Sequence, residues 1–225
     1  MFNHILNKFQ FPQLQETKVD GKRFYQVDEE LFPSVTTVLS AQENEGLIRW
    51  RENLGEDVAN FEMRRAANRG KIFHSIVEDY LNNRSIQNYK SKVLSFGLFS
   101  LVKKEFERID NIHNLEVTMF SKEYKIAGRA DCIAEFDGLL SIIDFKSANR
   151  AKKQDQLEKH AIQETAYSVM WNELTDIPIE QIVTIVACEN GETQTIIEKP
   201  QFFLKKLEWY IDDFQRLQES KVTTK

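Results

Sequence analysis

The sequence predicts an α/β domain: a mixed central β-sheet flanked by helices, with an N-terminal helical extension. Three observations predict it. The chain has 225 residues, 41% hydrophobic and 29% charged, the balance of an ordinary globular domain long enough to bury a core. Its apolar residues recur with helical spacing up to about residue 109, then every second residue from 115 to 147, then with helical spacing again. A further strand pattern and a terminal helix follow, so strands and helices alternate in one domain, residues 1–225. Within it, residues 1–110 carry a β excursion and helices, and residues 111–220 form the α/β core.

Residues 14–32 hold two β-prone runs about an Asp20-Gly21 turn. Pro33-Ser34 opens "SVTTVLSAQ", with Ser34 placed as a helix N-cap. Residues 57–81 read as a helix whose apolar face includes Phe61, Phe73 and Tyr80, and residues 90–109 as a second amphipathic helix. Three antiparallel strands are expected at 115–121, 124–136 and 139–147. A helix at 155–174, strands at 179–189 and 193–199, and a terminal helix at 200–220 with Pro200 near its start complete the chain. The tail "KVTTK" is expected to fray.

Several classes are disfavoured. No run of about 18 apolar residues occurs, so no membrane-spanning helix is expected. The N-terminus lacks the pattern of a secretory signal, and it has no Arg for a transit peptide. Cys132 and Cys188 form no CxxC pair, which argues against zinc and iron–sulfur sites and makes a reducing cytoplasm the expected compartment. The net charge of −5 argues against a protein that coats nucleic acid. Two runs are nonetheless locally basic, "RRAANRGK" (64–71) and "KSANRAKK" (146–153).

The chemistry concentrates in "AGRADCIAEFDGLLSIIDFKSA" (127–148). Asp137-Gly138 suits a two-residue type I′ turn, in which both central residues take positive φ. Paired residue numbers then sum to 275, which sets Asp131 opposite Asp144 and Arg129 opposite Lys146 on one face. Ala130, Cys132, Ala134, Ile143 and Phe145 fall on the other, core face. Facing carboxylates about 5 Å apart repel by roughly 3 kcal/mol at an effective dielectric of about 20. A hard divalent cation offsets that repulsion. On this reading Asp144→Ala relieves repulsion and leaves melting unchanged or slightly higher.

The order Asp131, then Asp144-Phe145-Lys146, resembles the PD-(D/E)xK nuclease superfamily. "RGKIFHSIVE" with His74 and Glu78, "GRAD" (128–131), "DFK" (144–146) and "QETAY" with Gln163 and Tyr167 are similar to its RecB-like branch. "FPSVTTVLS" is similar to a motif of mitochondrial genome maintenance exonucleases and their phage and bacterial relatives. The resemblance implies a restriction-endonuclease-like core and Mg²⁺ or Mn²⁺ held by Asp131, Asp144, the Phe145 carbonyl and His74. It further implies that Lys146 orients and activates water, that Ser34 approaches the DNA, and that Gln163 and Tyr167 lie beside the site.

Arg65, Arg69, Arg129 and Arg150 are phosphate-contact candidates, because guanidinium binds phosphate bidentately. Glu78 and Glu116 are accessory acids, with the face of Glu116 unassigned. The implied partner is DNA, single-stranded with a free end, in DNA processing, recombination or repair in a bacterial or phage-infected cell. No GxxxxGK[ST] loop occurs, so unwinding falls to a separate helicase, or ends are handled with a recombinase. Two alternatives stand beside this expectation: a structure-specific or restriction-type endonuclease, and a catalytically silent nucleic-acid-binding module.

Overall fold

The computed structural model describes residues 1–5, 9, 11–42 and 45–223. Strands β1 (Gln15–Val19), β2 (Lys22–Val27) and β3 (Glu30–Pro33) form a small antiparallel sheet. Asp20 and Gly21 take φ of 51° and 73°, as the β1–β2 turn requires. Helix α1 (Val35–Leu39) follows, capped by Ser34, whose Oγ accepts the Thr37 N–H at 3.0 Å. Helices α2 (Glu45–Leu54) and α3 (Glu56–Leu81) come next, then α4 (Val93–Val102).

The main sheet runs β4 (Ile109–Ser121), β5 (Ile126–Phe136), β6 (Leu139–Ala148), β7 (Gln181–Cys188), β8 (Thr193–Glu198). Its pairs are antiparallel except β6 and β7, which are parallel and joined through α5 (Gln154–Thr175). Such a pair needs a long crossover, and the helix supplies it. The terminal helix α6 (Leu204–Thr223) packs beside α5. The expected mixed α/β sheet is therefore present.

Each face of the sheet buries its own core. Phe73, Ile76 and Leu81 of α3, with Leu98 and Phe99 of α4, pack against Cys132, Ala134, Ile143 and Phe145. On the other face Ile162, Tyr167 and Trp171 of α5, with Leu207 and Ile211 of α6, pack against Val117, Ala130, Ile133 and Ile142. Buried residues fill all eight positions of β7, the pattern of a strand covered on both faces. Among the described residues, no helix is long and apolar enough to cross a membrane.

Several expectations need correction. The helix expected over 90–109 ends at Val102 and tightens into a 3₁₀ stretch at 103–108, which turns Phe106 into the core against Phe99 and Phe145. β4 begins at Ile109, six residues before the alternation expected at 115; Asn111 has φ of 46° and the register shifts between Asp110 and Asn114, which masks the period. Strand β3 and helix α2 were not expected. Pro200 starts a 3₁₀ turn at 200–202 rather than the helix itself. Helix α6 is assigned to Thr223, and 224–225 lie outside the described residues.

Candidate active site

The hairpin behaves as a type I′ turn, with φ of 51° at Asp137 and 81° at Gly138. The sum of 275 holds from Phe136–Leu139 to Cys132–Ile143. There the ladder ends, and this corrects the expected pairing of Asp131 with Asp144 and Arg129 with Lys146. The Phe145 N–H donates instead to the Asp131 carboxylate at 3.0 Å. A side chain has taken the place of a ladder carbonyl, and the strands part. Arg129 consequently sits opposite Thr118 of β4, and Lys146 beside Val186 of β7. Ala130 falls in the α5-side core, not with Cys132.

A cavity of about 490 Å³ opens at this parting. One wall is a single face of α3, with Lys71, His74, Ser75 and Glu78 at helical spacing. Arg23 and Tyr25 of β2 and the start of α1 form the facing wall. Glu116 of β4 and Gly128, Arg129 and Asp131 of β5 make the floor, and Gln163 and Tyr167 of α5 close the end. Tyr167 reaches in because residue 128 has no side chain: a Cβ there would meet its ring carbon Cε1 at 2.7 Å. Gln163 Nε2 donates to the Tyr167 hydroxyl at 2.9 Å.

The His74 imidazole, Glu116 and Asp131 each offer a ligand atom, all within 4.8 Å of one another. His74 Nδ1 lies 3.4 Å from Asp131 Oδ2. Burial opposes protonation of His74, but the Asp131 carboxylate outweighs it and raises the imidazole pKa. Burial also disfavours charge on Asp131, yet His74, Lys146 and the Phe145 N–H hold its carboxyl below the ordinary value. Burial, followed by the Asp131 charge, raises Glu116. Arg129 ion-pairs with Glu116 at 2.9 Å.

Asp144 lies deeper, 2% exposed. Lys146 Nζ stands 2.7 Å from its Oδ1 and 2.6 Å from its Oδ2, but Oδ2 receives no directed hydrogen bond. Burial pushes the Asp144 carboxyl up despite Lys146. Burial likewise opposes charge on Lys146, and Asp144 and Asp131 override it, so the amine is held as an ammonium. The donors fit a hard divalent cation: carboxylate oxygens, one imidazole, and a buried carboxylate oxygen without a directed donor. The Phe145 ring itself is core, edge-on to Phe106.

The remaining expected contacts are dispersed. Ser34 borders the cavity, but it is 2% exposed, and its Oγ contacts the Thr37 N–H and the Thr36 and Thr37 hydroxyls. Arg65 pairs with Glu62 at 3.0 Å and with Glu189 at 2.5 Å. Arg69 is 6% exposed and binds Glu189, Asn149 Oδ1 and both the hydroxyl and carbonyl of Ser147. These guanidinium groups tie α3 to the ends of β6 and β7. Arg150 is exposed on the β6–α5 connection. Sequence reasoning missed Arg23, Tyr25 and Ser75, and held Lys71 only as part of the basic run 64–71. The α3 spacing from His74 would have found Lys71 and Ser75; nothing in the sequence brings β2 to this site.

The model of the PD-(D/E)XK nuclease superfamily matches residues 90–222. The chain is 28% identical over 131 residues to the human mitochondrial genome maintenance exonuclease 1, covering 54% of this chain and 38% of that protein. The mouse protein is 27% identical over 128 residues, with 53% and 38% covered. The match thus spans less than two-fifths of the length of these curated relatives. A solved structure from Eubacterium rectale, described as a candidate exonuclease, has a TM-score of 0.47 at 12% identity and covers 68% of each chain. With more than half of its residues inside the family match, the chain belongs to the PD-(D/E)XK nuclease superfamily.

Proposed function

We propose that this chain is a divalent-metal-dependent deoxyribonuclease, an exonuclease that shortens single-stranded DNA from a free end. The convergence of His74, Glu116 and Asp131 within 4.8 Å carries the reading. Asp131, Asp144, Glu116, His74 and the Phe145 carbonyl hold Mg²⁺ or Mn²⁺. When bound, the ion supplies Lewis-acid polarisation of a phosphoryl oxygen and a more acidic water.

The protein's own groups do the rest. The Phe145 N–H fixes the Asp131 carboxylate at Oδ2, and the His74 imidazole approaches the same oxygen. Lys146, held as an ammonium, orients the attacking water by hydrogen bonding and balances charge gathering on the phosphate. Arg129 and Tyr167 align the strand. A cavity of about 490 Å³ falls in the size class of small-ligand pockets, room for a nucleotide unit. Ends are supplied by a separate unwinding or recombination activity acting in DNA processing.

The test uses linear single-stranded DNA, blunt duplex and closed single-stranded circles at equal concentration, with Mg²⁺, Mn²⁺ or excess EDTA. Cutting of the linear single strand alone, abolished by EDTA, is expected. Rapid cutting of the circle would establish an endonuclease instead. No cutting of any substrate would leave only the binding-module alternative.

A further inference from the structure

Resting on the nuclease reading, we propose that Arg23 and Lys71 form a phosphate seat, gripping a phosphate that flanks the scissile one. The cavity is electrically divided. Its floor holds Glu116 and Asp131, which suit a cation, while its two long walls bring in Arg23 from β2 and Lys71 from α3. Glu78 shares the α3 wall and Arg129 the floor, but Arg129 is paired with Glu116, which leaves Arg23 and Lys71 as the lining cations not tied to the acids of the metal centre. They suit a substrate whose charge is negative and that is joined to the metal centre by its own backbone.

Lys71 lies one helical turn before His74, about 5–6 Å away at Cβ. It is exposed and lines the cavity. Arg129, the third cation, is already tied to Glu116. Arg23 contacts Glu16 at 3.3 Å, with both side chains about two-fifths exposed, at 42% and 43%. A surface pair of that kind exchanges readily for phosphate.

The backbone of Arg23 is locked in place. Its N–H donates to Thr37 Oγ1 at 3.2 Å, and its carbonyl accepts from Thr37 Oγ1 at 2.9 Å and from the Ser34 N–H at 3.0 Å. Ser34 Oγ in turn donates to Thr37 Oγ1 at 2.9 Å. The "PSVTT" segment thus spends its hydroxyls on holding Arg23, and Arg23 is the group it presents to the cavity. The fixed backbone sets the point from which the guanidinium reaches into the cavity, so only the side chain moves when it takes up phosphate.

The test measures kcat/KM for Mn²⁺-dependent hydrolysis of oligothymidylate across a salt series, for Arg23→Gln, Lys71→Gln, the double variant, and Arg216→Gln as an α6 control. Each single substitution is expected to lower kcat/KM about tenfold, the loss of one charge-assisted contact. Each should also make the log–log salt slope shallower by about 0.7, and the double variant by about 1.4. Arg216→Gln should change neither. Hydrolysis by all variants with the unsubstituted slope overturns the phosphate seat and leaves the nuclease reading intact. No hydrolysis by the unsubstituted chain overturns that reading, and the seat with it.

Discussion

Glu116 and Asp131 face each other across the row at which β4 and β5 exchange sides. The flanking pairs are Leu115 with Cys132 and Val117 with Ala130. Leu115 and Cys132 pack into the core under α3 and α4, whereas Val117 and Ala130 pack into the core under α5. A regular strand would put residues two apart on one side. Glu116 breaks the period by adopting φ of 50°, a left-handed conformation that costs a non-glycine residue about 1–2 kcal/mol. The inversion turns two carboxylates into the opening of the sheet, a strained arrangement of the kind that collects at functional sites.

Glu116→Gln keeps the side-chain shape and removes one of these charges. Two carboxylates within 4.8 Å repel by about 3 kcal/mol at an effective dielectric of about 20. Loss of the Arg129 pair and solvent screening offset part of that. The expected result is a gain of about 1 kcal/mol in stability in EDTA, with at least a tenfold loss of Mn²⁺-dependent hydrolysis. Urea denaturation in EDTA and initial rates in Mn²⁺ check the two halves. A variant with full activity would remove Glu116 from the metal site.

Asp144→Ala has a different consequence from the one the paired-carboxylate reading implies. Lys146 is only 21% exposed at its side chain and leans on Asp144. Deleting the carboxylate strands an ammonium, and breaking a buried pair typically costs about 3–5 kcal/mol. Asp131 still faces Lys146, so a loss of about 2 kcal/mol is expected, not the unchanged melting that relief of repulsion alone would give. Adding Lys146→Met should recover most of it. Both variants should be inactive. Thermal denaturation of the single and double variants decides the point: no recovery in the double would mean that Asp144 stabilises the fold independently of Lys146.

Gly128→Ala tests how closely the floor of the cavity meets α5. The new methyl would lie 2.7 Å from Tyr167 Cε1 and 3.4 Å from Val35 Cγ2. Tyr167 is 3% exposed and cannot swing freely aside. Overpacking of this kind costs about 1–3 kcal/mol, and hydrolysis should fall as the ring is displaced into the cavity. In combination with Tyr167→Ala the two losses should not add, because the clash is gone. Additive losses in a denaturation cycle would place the strain elsewhere.

The architecture was legible because period and turn chemistry act locally. The Asp137-Gly138 turn gave the correct register as far as Cys132–Ile143. It failed at Asp131 because the next N–H, that of Phe145, bonds a side chain, and strand periodicity carries no information about that choice. Arg65 and Arg69 looked like a phosphate patch from their own segment; their partner Glu189 is more than a hundred residues away in sequence. Helix α2 was overlooked although Leu47, Ile48 and Leu54 recur at helical spacing; in the fold all three remain exposed, at 41%, 43% and 40%. Arg23 was illegible because long-range packing carries β2 to the site: α1 packs on β5 and α5, and Tyr25, Val27 and Phe32 pack directly on Ala127 of β5.

His160, on α5 one turn before Gln163 and Glu164, makes acid stability depend on a group outside the proposed chemistry. Burial, reinforced by Lys146 and Lys152, lowers its pKa to about 3, and its Nε2 is buried without a hydrogen-bond partner. The folded state therefore keeps the imidazole neutral where the unfolded chain, with a pKa near 6.5, has begun to take up a proton. Below about pH 6.5 the unfolded state binds more protons, so stability falls as pH falls, until the folded imidazole also protonates near pH 3. The ideal slope is about 1.4 kcal/mol per pH unit. The ring is only partly shielded from solvent, so a total of roughly 2 kcal/mol over the window is expected. His160→Gln removes this contribution. Between pH 7 and pH 5 the unsubstituted chain should lose about 1 kcal/mol more than the variant in urea denaturation performed in EDTA. Parallel pH dependences for the two proteins would show that His160 is not held neutral in the fold.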